Sequence, residues 1–156
     1  MRTAERVHDF SYGHRVHNHE SKCAHLHGHN GRVKFVVTAP ELDALGRIMD
    51  FGVIKERLCS WLEDNWDHKF LAWEEDPLMQ TMLYAASDTQ SGQMLEASIV
   101  WVPFNPTAEN MAQYLVDVIG PKQLAGTEVT LISVTFDETR KCSCTHSLEN
   151  FYVSSI

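Results

Sequence analysis

The chain predicts an α+β fold in which two helices cover one face of an antiparallel four-stranded sheet, and three observations carry that reading. Residues 5–13 and 32–39 read as strands, the second β-branched and bounded by Gly31 and Pro40. Residues 50–66 and 107–119 repeat apolar side chains at helical spacing. Residues 128–136 and 148–154 read as a closing strand pair. The resulting order, β-β-α-(β)-α-β-β, segregates the helices to one side of the sheet.

Each element has a local cause. The two opening strands are expected to pair as a long antiparallel hairpin. The first helix places Phe51, Ile54, Leu58, Trp61 and Leu62 on one face, with Lys55, Glu56, Glu63 and Asp64 on the other. Residues 73–94 are polar and mixed, with Asp76-Pro77 early and Ser91-Gly92 late, and predict a loop with at most a short helix. A short strand is expected over 98–103. Asn105-Pro106-Thr107 supplies a cap and an early proline for the second helix. Its apolar face is Ala108, Met111, Ala112, Leu115 and Val118 or Ile119, and Gly120-Pro121 is expected to end it.

Composition narrows the function classes. At 156 residues with no repeat, low-complexity tract or linker, the chain reads as a single domain, 1–156. Its formal charge of −8 is the opposite of a nucleic-acid footprint, so long nucleic acids are not expected as partners. A small anionic substrate remains compatible, because a local cluster of cations or a metal outweighs the global charge. No run approaches the roughly 18–20 apolar residues of a membrane helix, and the N-terminus has no apolar leader, so a cytoplasmic protein with no membrane partner is expected. Cys23, Cys59, Cys142 and Cys144 lack the spacing of a secreted disulfide framework.

Histidine is the unusual residue. Six of the nine, His14, His17, His19, His25, His27 and His29, fall between residues 14 and 29. On an extended segment residues i and i+2 share a face, so His27 and His29 can reach one ion. A catalytic zinc takes three protein ligands and keeps one position open. His14, at the end of the preceding strand, is the third candidate. His17, His19 and His25 compete for these places, and periodicity alone does not choose between the 25/27 and 27/29 pairs. Cys23 beside a cation would have its thiolate favoured, as a nucleophile or base requires, although a buried thiol or a fourth ligand reads equally from spacing. Asp67-His68 can act as an acid–base pair, and the acids of Asp137-Glu138-Thr139 can accept paired hydrogen bonds from a guanidine-like ring edge. Cys142, Cys144 and His146 form a weaker second metal candidate.

The motifs Tyr12-Gly13-His14-Arg15, Cys23-x-x-x-His27-Gly28-His29-Asn30, Met49-Asp50-Phe51, Asp67-His68, Asn105-Pro106-Thr107-Ala108-Glu109-Asn110 and Glu138-Thr139 stand in the order found in the 6-pyruvoyl-tetrahydropterin synthase / 6-carboxy-5,6,7,8-tetrahydropterin synthase family, which the chain resembles from about residue 8 to 140. The resemblance implies a tunnelling fold, in which sheets of several subunits close a barrel and active sites form between neighbouring chains of a homo-oligomer. It implies zinc on His14, His27 and His29, a catalytic thiol at Cys23, and a proton-relay pair at Asp67 and His68 donated by a neighbouring subunit. Glu138 would anchor the aminopyrimidine edge of a pterin, with Thr107 and Glu109 assisting.

The three residues between Cys23 and His27 are similar to the carboxytetrahydropterin branch of the family, which serves 7-deazaguanine (queuosine/preQ0) biosynthesis. That branch implies a zinc-dependent lyase converting 7,8-dihydroneopterin triphosphate to 6-carboxytetrahydropterin, acetaldehyde and triphosphate. The pyruvoyl branch usually has a longer gap, and another branch carries Glu in place of the thiol. A non-catalytic, zinc-stabilised oligomer that binds pterins or purines is the alternative from outside the enzymes. Three departures stand out: an insertion around 73–100, Tyr12-Gly13 where the family usually has two small residues before the first ligand, and an extension from about 140.

Overall fold

The computed structural model describes residues 1–149. Strand β1 (Ala4–His14) turns back through an irregular loop into β2 (His27–Thr38), and the two pair antiparallel with Tyr12 opposite His29 and His14 opposite His27. A continuous helix over 51–65 follows. It comprises α1 (Phe51–Ile54), a π-helical turn Lys55–Cys59 and α2 (Ser60–Asn65), and Asp50 caps it by accepting the Gly52 N–H. Strand β3 is Lys69–Trp73, and helices α3 (Pro77–Ala86) and α4 (Gln90–Ser98) lead to β4 (Ile99–Val102). A second long helix covers 108–123 as α5 (Ala108–Tyr114), a π-helical turn Leu115–Ile119 and α6 (Gly120–Gln123). Strands β5 (Thr130–Thr139) and β6 (Cys142–Ser147) close the order.

The predicted antiparallel four-stranded sheet is present as β1-β2-β5-β6, but it belongs to a six-stranded mixed sheet, β4-β3-β1-β2-β5-β6. β3 lies parallel to β1, and β4 parallel to β3. Parallel neighbours need a long crossover, and α3–α4 is that crossover. The loop expected over 73–94 is therefore mostly helical. Asp76 begins α3 by accepting the Leu78 N–H ahead of Pro77, and Thr89 begins α4 by accepting the Gly92 N–H.

Two further expectations are corrected. The second helix does not stop at Gly120-Pro121: its π-helical turn bonds the Gly120 N–H to Leu115 O, and the helix runs on to Gln123. The closing partner of β5 is 142–147 rather than 148–154, so the expected C-terminal extension begins with a sheet strand. Residues 150–154 of that expected strand lie outside the described residues.

Alternation divides the sheet into two faces. On one, Phe10, Tyr12, Val33, Phe35, Val134 and Phe136 meet Ile54, Leu58, Leu62, Trp66, Met111 and Leu115 from the two long helices. Met79 of α3 packs with Ala72 and Ile99 in a separate small cluster under the crossover. The other face carries Glu5, Val7, Asp9, Ser11 and Gly13 along β1, and α3 and α4 pack on it at the β3–β4 end, where Met79, Met82 and Leu95 meet Phe70, Ala72, Ile99 and Trp101. Among the described residues no helix is long and apolar enough to cross a membrane.

Candidate metal centre and adjoining cleft

The helix face of the sheet ends in imidazoles. His14, His27 and His29 continue the rows that begin with Phe10, Tyr12 and Val33, and one ring nitrogen from each lies within 4.8 Å of the others. Their orientation is fixed from behind. His14 Nδ1 donates to the Pro106 carbonyl at 2.7 Å, and His27 Nδ1 donates to the His25 carbonyl at 2.7 Å, which leaves each Nε2 with its lone pair. His14 Nε2 and His29 Nε2 are buried with no hydrogen-bond partner among the described residues.

Burial dominates the electrostatics of the cluster. It pushes His14 down to about 4, with the neighbouring imidazoles adding and the Pro106 bond opposing. His29 is lowered for the same first reason, with His27 adding. Three converging ring nitrogens, two of them buried without another hydrogen-bond partner among the described residues, are what a divalent transition metal requires, so the residues present fit a three-histidine metal site.

The competing histidines have other uses. His25 supplies only its carbonyl to His27. His19 Nδ1 accepts the Ser21 N–H. His17 stands beside Arg15 and Asp76, with Arg15 Nη2 3.3 Å from its Nδ1. Of the pairs left open by periodicity, the geometry joins 27 and 29 to His14.

Cys23 sits in a short 3₁₀ turn, Lys22–Ala24, whose position is set by the Val16 N–H donating to Cys23 O at 2.8 Å. Its side chain opens on a cleft of about 330 Å³ lined also by Thr107, Glu109, Glu138 and residues 142–144 of β6. Glu138 belongs to the same side of β5 as Val134 and Phe136, at the point where the β5–β6 register steps from Asp137–Ser143 to Thr139–Cys142. Such an irregularity re-aims a side chain. Glu138 Oε1 lies 3.6 Å from His14 Nε2. Burial raises the Glu138 carboxyl above its ordinary value, opposed by His27 and reinforced by Glu109. Thr107 caps α5 by accepting the Asn110 N–H, so its hydroxyl is partly committed. Cys142 and Cys144 border this cleft, and with His146 they form no metal cluster among the described residues.

Asp67 and His68 lie elsewhere. They follow the first long helix and clamp β1 from its edge: Asp67 Oδ1 accepts the Ser11 N–H at 2.9 Å, and the His68 N–H donates to Ser11 O at 2.7 Å. His68 adopts a left-handed φ of 57° and pairs its Nδ1 with Asp67 Oδ2 at 2.8 Å. Its side chain is 81% exposed and borders a depression with Ser11, Gly13, Gly28 and Asn30, on the sheet face opposite the two long helices. Within one chain it does not face Cys23.

Several supporting residues carry no sequence signal of their own. The carbonyls of Pro106 and His25 orient two imidazoles, and a carbonyl role is independent of side-chain type. Asn105 brackets His17, accepting its N–H and donating to its carbonyl, both at 2.9 Å. Asp76, fully buried, forms an ion pair with Arg15 at 3.1 Å and so ties the crossover to the residue after His14.

Comparison with known proteins agrees over nearly the whole chain. The family model of 6-pyruvoyl tetrahydropterin synthase matches residues 3–149. A Rickettsia felis protein named 6-carboxy-5,6,7,8-tetrahydropterin synthase is 33% identical over 134 residues, 86% of this chain and 91% of that one. Among solved structures, an uncharacterised protein of Wolinella succinogenes superposes with a TM-score of 0.84 at 26% identity, covering 95% of this chain and 98% of the other. The 6-pyruvoyl tetrahydropterin synthase of Caenorhabditis elegans shares the fold, with a TM-score of 0.60 at 24% identity over 95% of this chain and 96% of its own. The chain thus belongs to the 6-pyruvoyl tetrahydropterin synthase family, with an α+β tunnelling fold.

Proposed function

We propose that the protein is a zinc-dependent 6-carboxy-5,6,7,8-tetrahydropterin synthase acting in 7-deazaguanine biosynthesis as a cytoplasmic homo-oligomer. The observation that carries this reading is the convergence of three imidazoles beside one cleft that also holds a thiol, Cys23, and a carboxylate, Glu138. Relatives bearing the carboxytetrahydropterin name, at about one third identity over most of the chain, support the choice of branch.

The reaction converts 7,8-dihydroneopterin triphosphate and one water into 6-carboxytetrahydropterin, acetaldehyde and triphosphate, the ring being reduced as the side chain is oxidised and cleaved. Zinc, held by His14, His27 and His29, supplies Lewis-acid polarisation of the side-chain oxygens. Glu138 accepts paired hydrogen bonds from the aminopyrimidine edge and so sets which part of the side chain reaches the thiol. Thr107 and Glu109, on the same cleft, help seat the ring. Cys23 Sγ takes a side-chain proton as thiolate. His68 Nε2, with Nδ1 held by Asp67, exchanges protons with the reacting side chain from a neighbouring subunit. Such sharing is consistent with the exposure of the His68 side chain, and with β4 and β6 being the outer strands of the described sheet, whose edges an oligomer would cover.

Incubation of the zinc-loaded protein with 7,8-dihydroneopterin triphosphate is expected to release acetaldehyde in step with triphosphate. A pyruvoyl product without acetaldehyde would place the protein in the other branch, for which the name of the matching family model speaks.

A further inference from the structure

Tyr12 is buried, 4% exposed, and its hydroxyl has no hydrogen-bond partner among the described residues. A buried, unsatisfied phenol costs roughly 1–3 kcal/mol, so its position calls for a reason. Packing explains the ring. It stacks on Phe10 at 5.2 Å, meets Phe136 edge-on at 5.6 Å, and borders His14 and His29 at 5.2 and 5.6 Å. Packing does not explain the hydroxyl, since phenylalanine would make the same ring contacts.

The direction of the ring is set by Gly31. A Cβ at Gly31 would stand 2.8 Å from Tyr12 Cε1 and 3.4 Å from Asp137 O, so the ring crosses β2 over the bare glycine toward the end of β5, where Glu138 projects from the same face. The hydroxyl is thus carried into the space between the histidine cluster and Glu138, and the charge of Glu138 joins burial in holding the phenol protonated. In the chain alone the Glu138 carboxylate leans on His14, 3.6 Å from Nε2. That nitrogen is the one free to bind a metal.

We propose that Tyr12 is a positioning residue of the pterin site: once His14 Nε2 is committed to a metal, the Tyr12 hydroxyl donates to the Glu138 carboxylate and holds it in the orientation that receives the aminopyrimidine edge. The exchange gives a buried donor its acceptor and a displaced acceptor its donor. It rests on the reading of Glu138 as the pterin anchor.

The test uses Tyr12→Phe, Glu138→Ala and the double variant, all zinc-loaded, with neopterin as a fluorescent, unreactive probe. Tyr12→Phe is expected to keep its zinc content and lose about tenfold in neopterin affinity, as for one hydrogen bond to a charged group, and to lose nothing further when Glu138 is already Ala. Unchanged affinity in Tyr12→Phe, or the same tenfold loss in the Glu138→Ala background, would overturn the proposal. Unchanged affinity in Glu138→Ala alone would instead remove the anchor reading. A crystal structure of the zinc-loaded wild type decides without any variant. Tyr12 Oη within about 3.2 Å of a Glu138 oxygen is expected; a hydroxyl turned elsewhere, or Glu138 ligating the metal, overturns it.

Discussion

The histidine pocket and the Asp67–His68 corner both meet strand β1, one at His14 and the other at Ser11, yet they are built on opposite principles. The pocket is enclosed and preset: His14 is 1% exposed, its Nδ1 is fixed by a carbonyl, and its Nε2 has no hydrogen-bond partner among the described residues. The corner is open to solvent, with the His68 backbone in a left-handed conformation and its ring exposed while Nδ1 pairs with Asp67. Alternation along β1 separates the two faces: His68 borders a depression with Ser11 and Gly13, which face opposite to Tyr12 and His14. Under the proposed function one chain would carry two half-sites, and Cys23 and His68 would meet only across a contact between copies.

The sharpest way to break this contrast is metal retention. His14→Ala is expected to abolish stoichiometric zinc binding and turnover together, whereas His68→Ala should keep full zinc by elemental analysis while turnover falls by about 10²–10⁴. Zinc loss in His68→Ala would join what the structure separates. Chelation should likewise end activity while leaving the chain folded, since the apolar core needs no metal.

Next in size is the brace behind the pocket. Asp76→Ala leaves Arg15 buried without its counter-ion and is expected to cost about 3–5 kcal/mol in urea unfolding. A change under about 1 kcal/mol would mean that the crossover does not support the histidine loop through this pair.

The smallest effect belongs to the corner. Burial would raise the Asp67 carboxyl, but the Ser11 N–H and His68 outweigh it and hold the group below its ordinary 3.8. A carboxylate depressed by folding stabilises the fold above its unfolded pKa and loses that contribution as pH falls through the folded value. Asp67→Asn is thus expected to be less stable than wild type by about 1 kcal/mol near neutrality, and the gap should close below pH 3.8. A gap that persists or widens in acid would contradict the assignment.

Much of this was legible in the sequence, and the parts that were not have physical reasons. The β1–β2 hairpin followed from β-branched residues, and it brought His14 opposite His27. The long helices followed from Phe51, Ile54 and Leu58, and from Met111, Ala112 and Leu115. Strand β3 was hidden because Lys-Phe-Leu-Ala-Trp is short and follows a helix of similar apolarity. Helices α3 and α4 were hidden because they bury little beyond Met79 and Gly92. Strand β6 was missed because Cys-Ser-Cys-Thr-His-Ser is polar and small, and its place is set by pairing, with the Thr135 and Thr145 hydroxyls 2.8 Å apart. In the candidate site, side-chain identity pointed to the three histidines that the fold brings together, and to the thiol and carboxylates proposed beside them. It was silent on the Pro106 and His25 carbonyls and on the face to which His68 turns.

Subunit mixing tests the two-half-site account most directly. Cys23→Ala and His68→Ala chains, each inactive alone, are to be unfolded together, refolded as mixed oligomers and assayed for acetaldehyde release. If each site takes Cys23 from one chain and His68 from its neighbour, random mixing restores intact sites in about one quarter of positions, and with them about one quarter of wild-type activity. Activity that stays at the level of the separate variants would mean that both residues act within a single chain, and the account would be wrong.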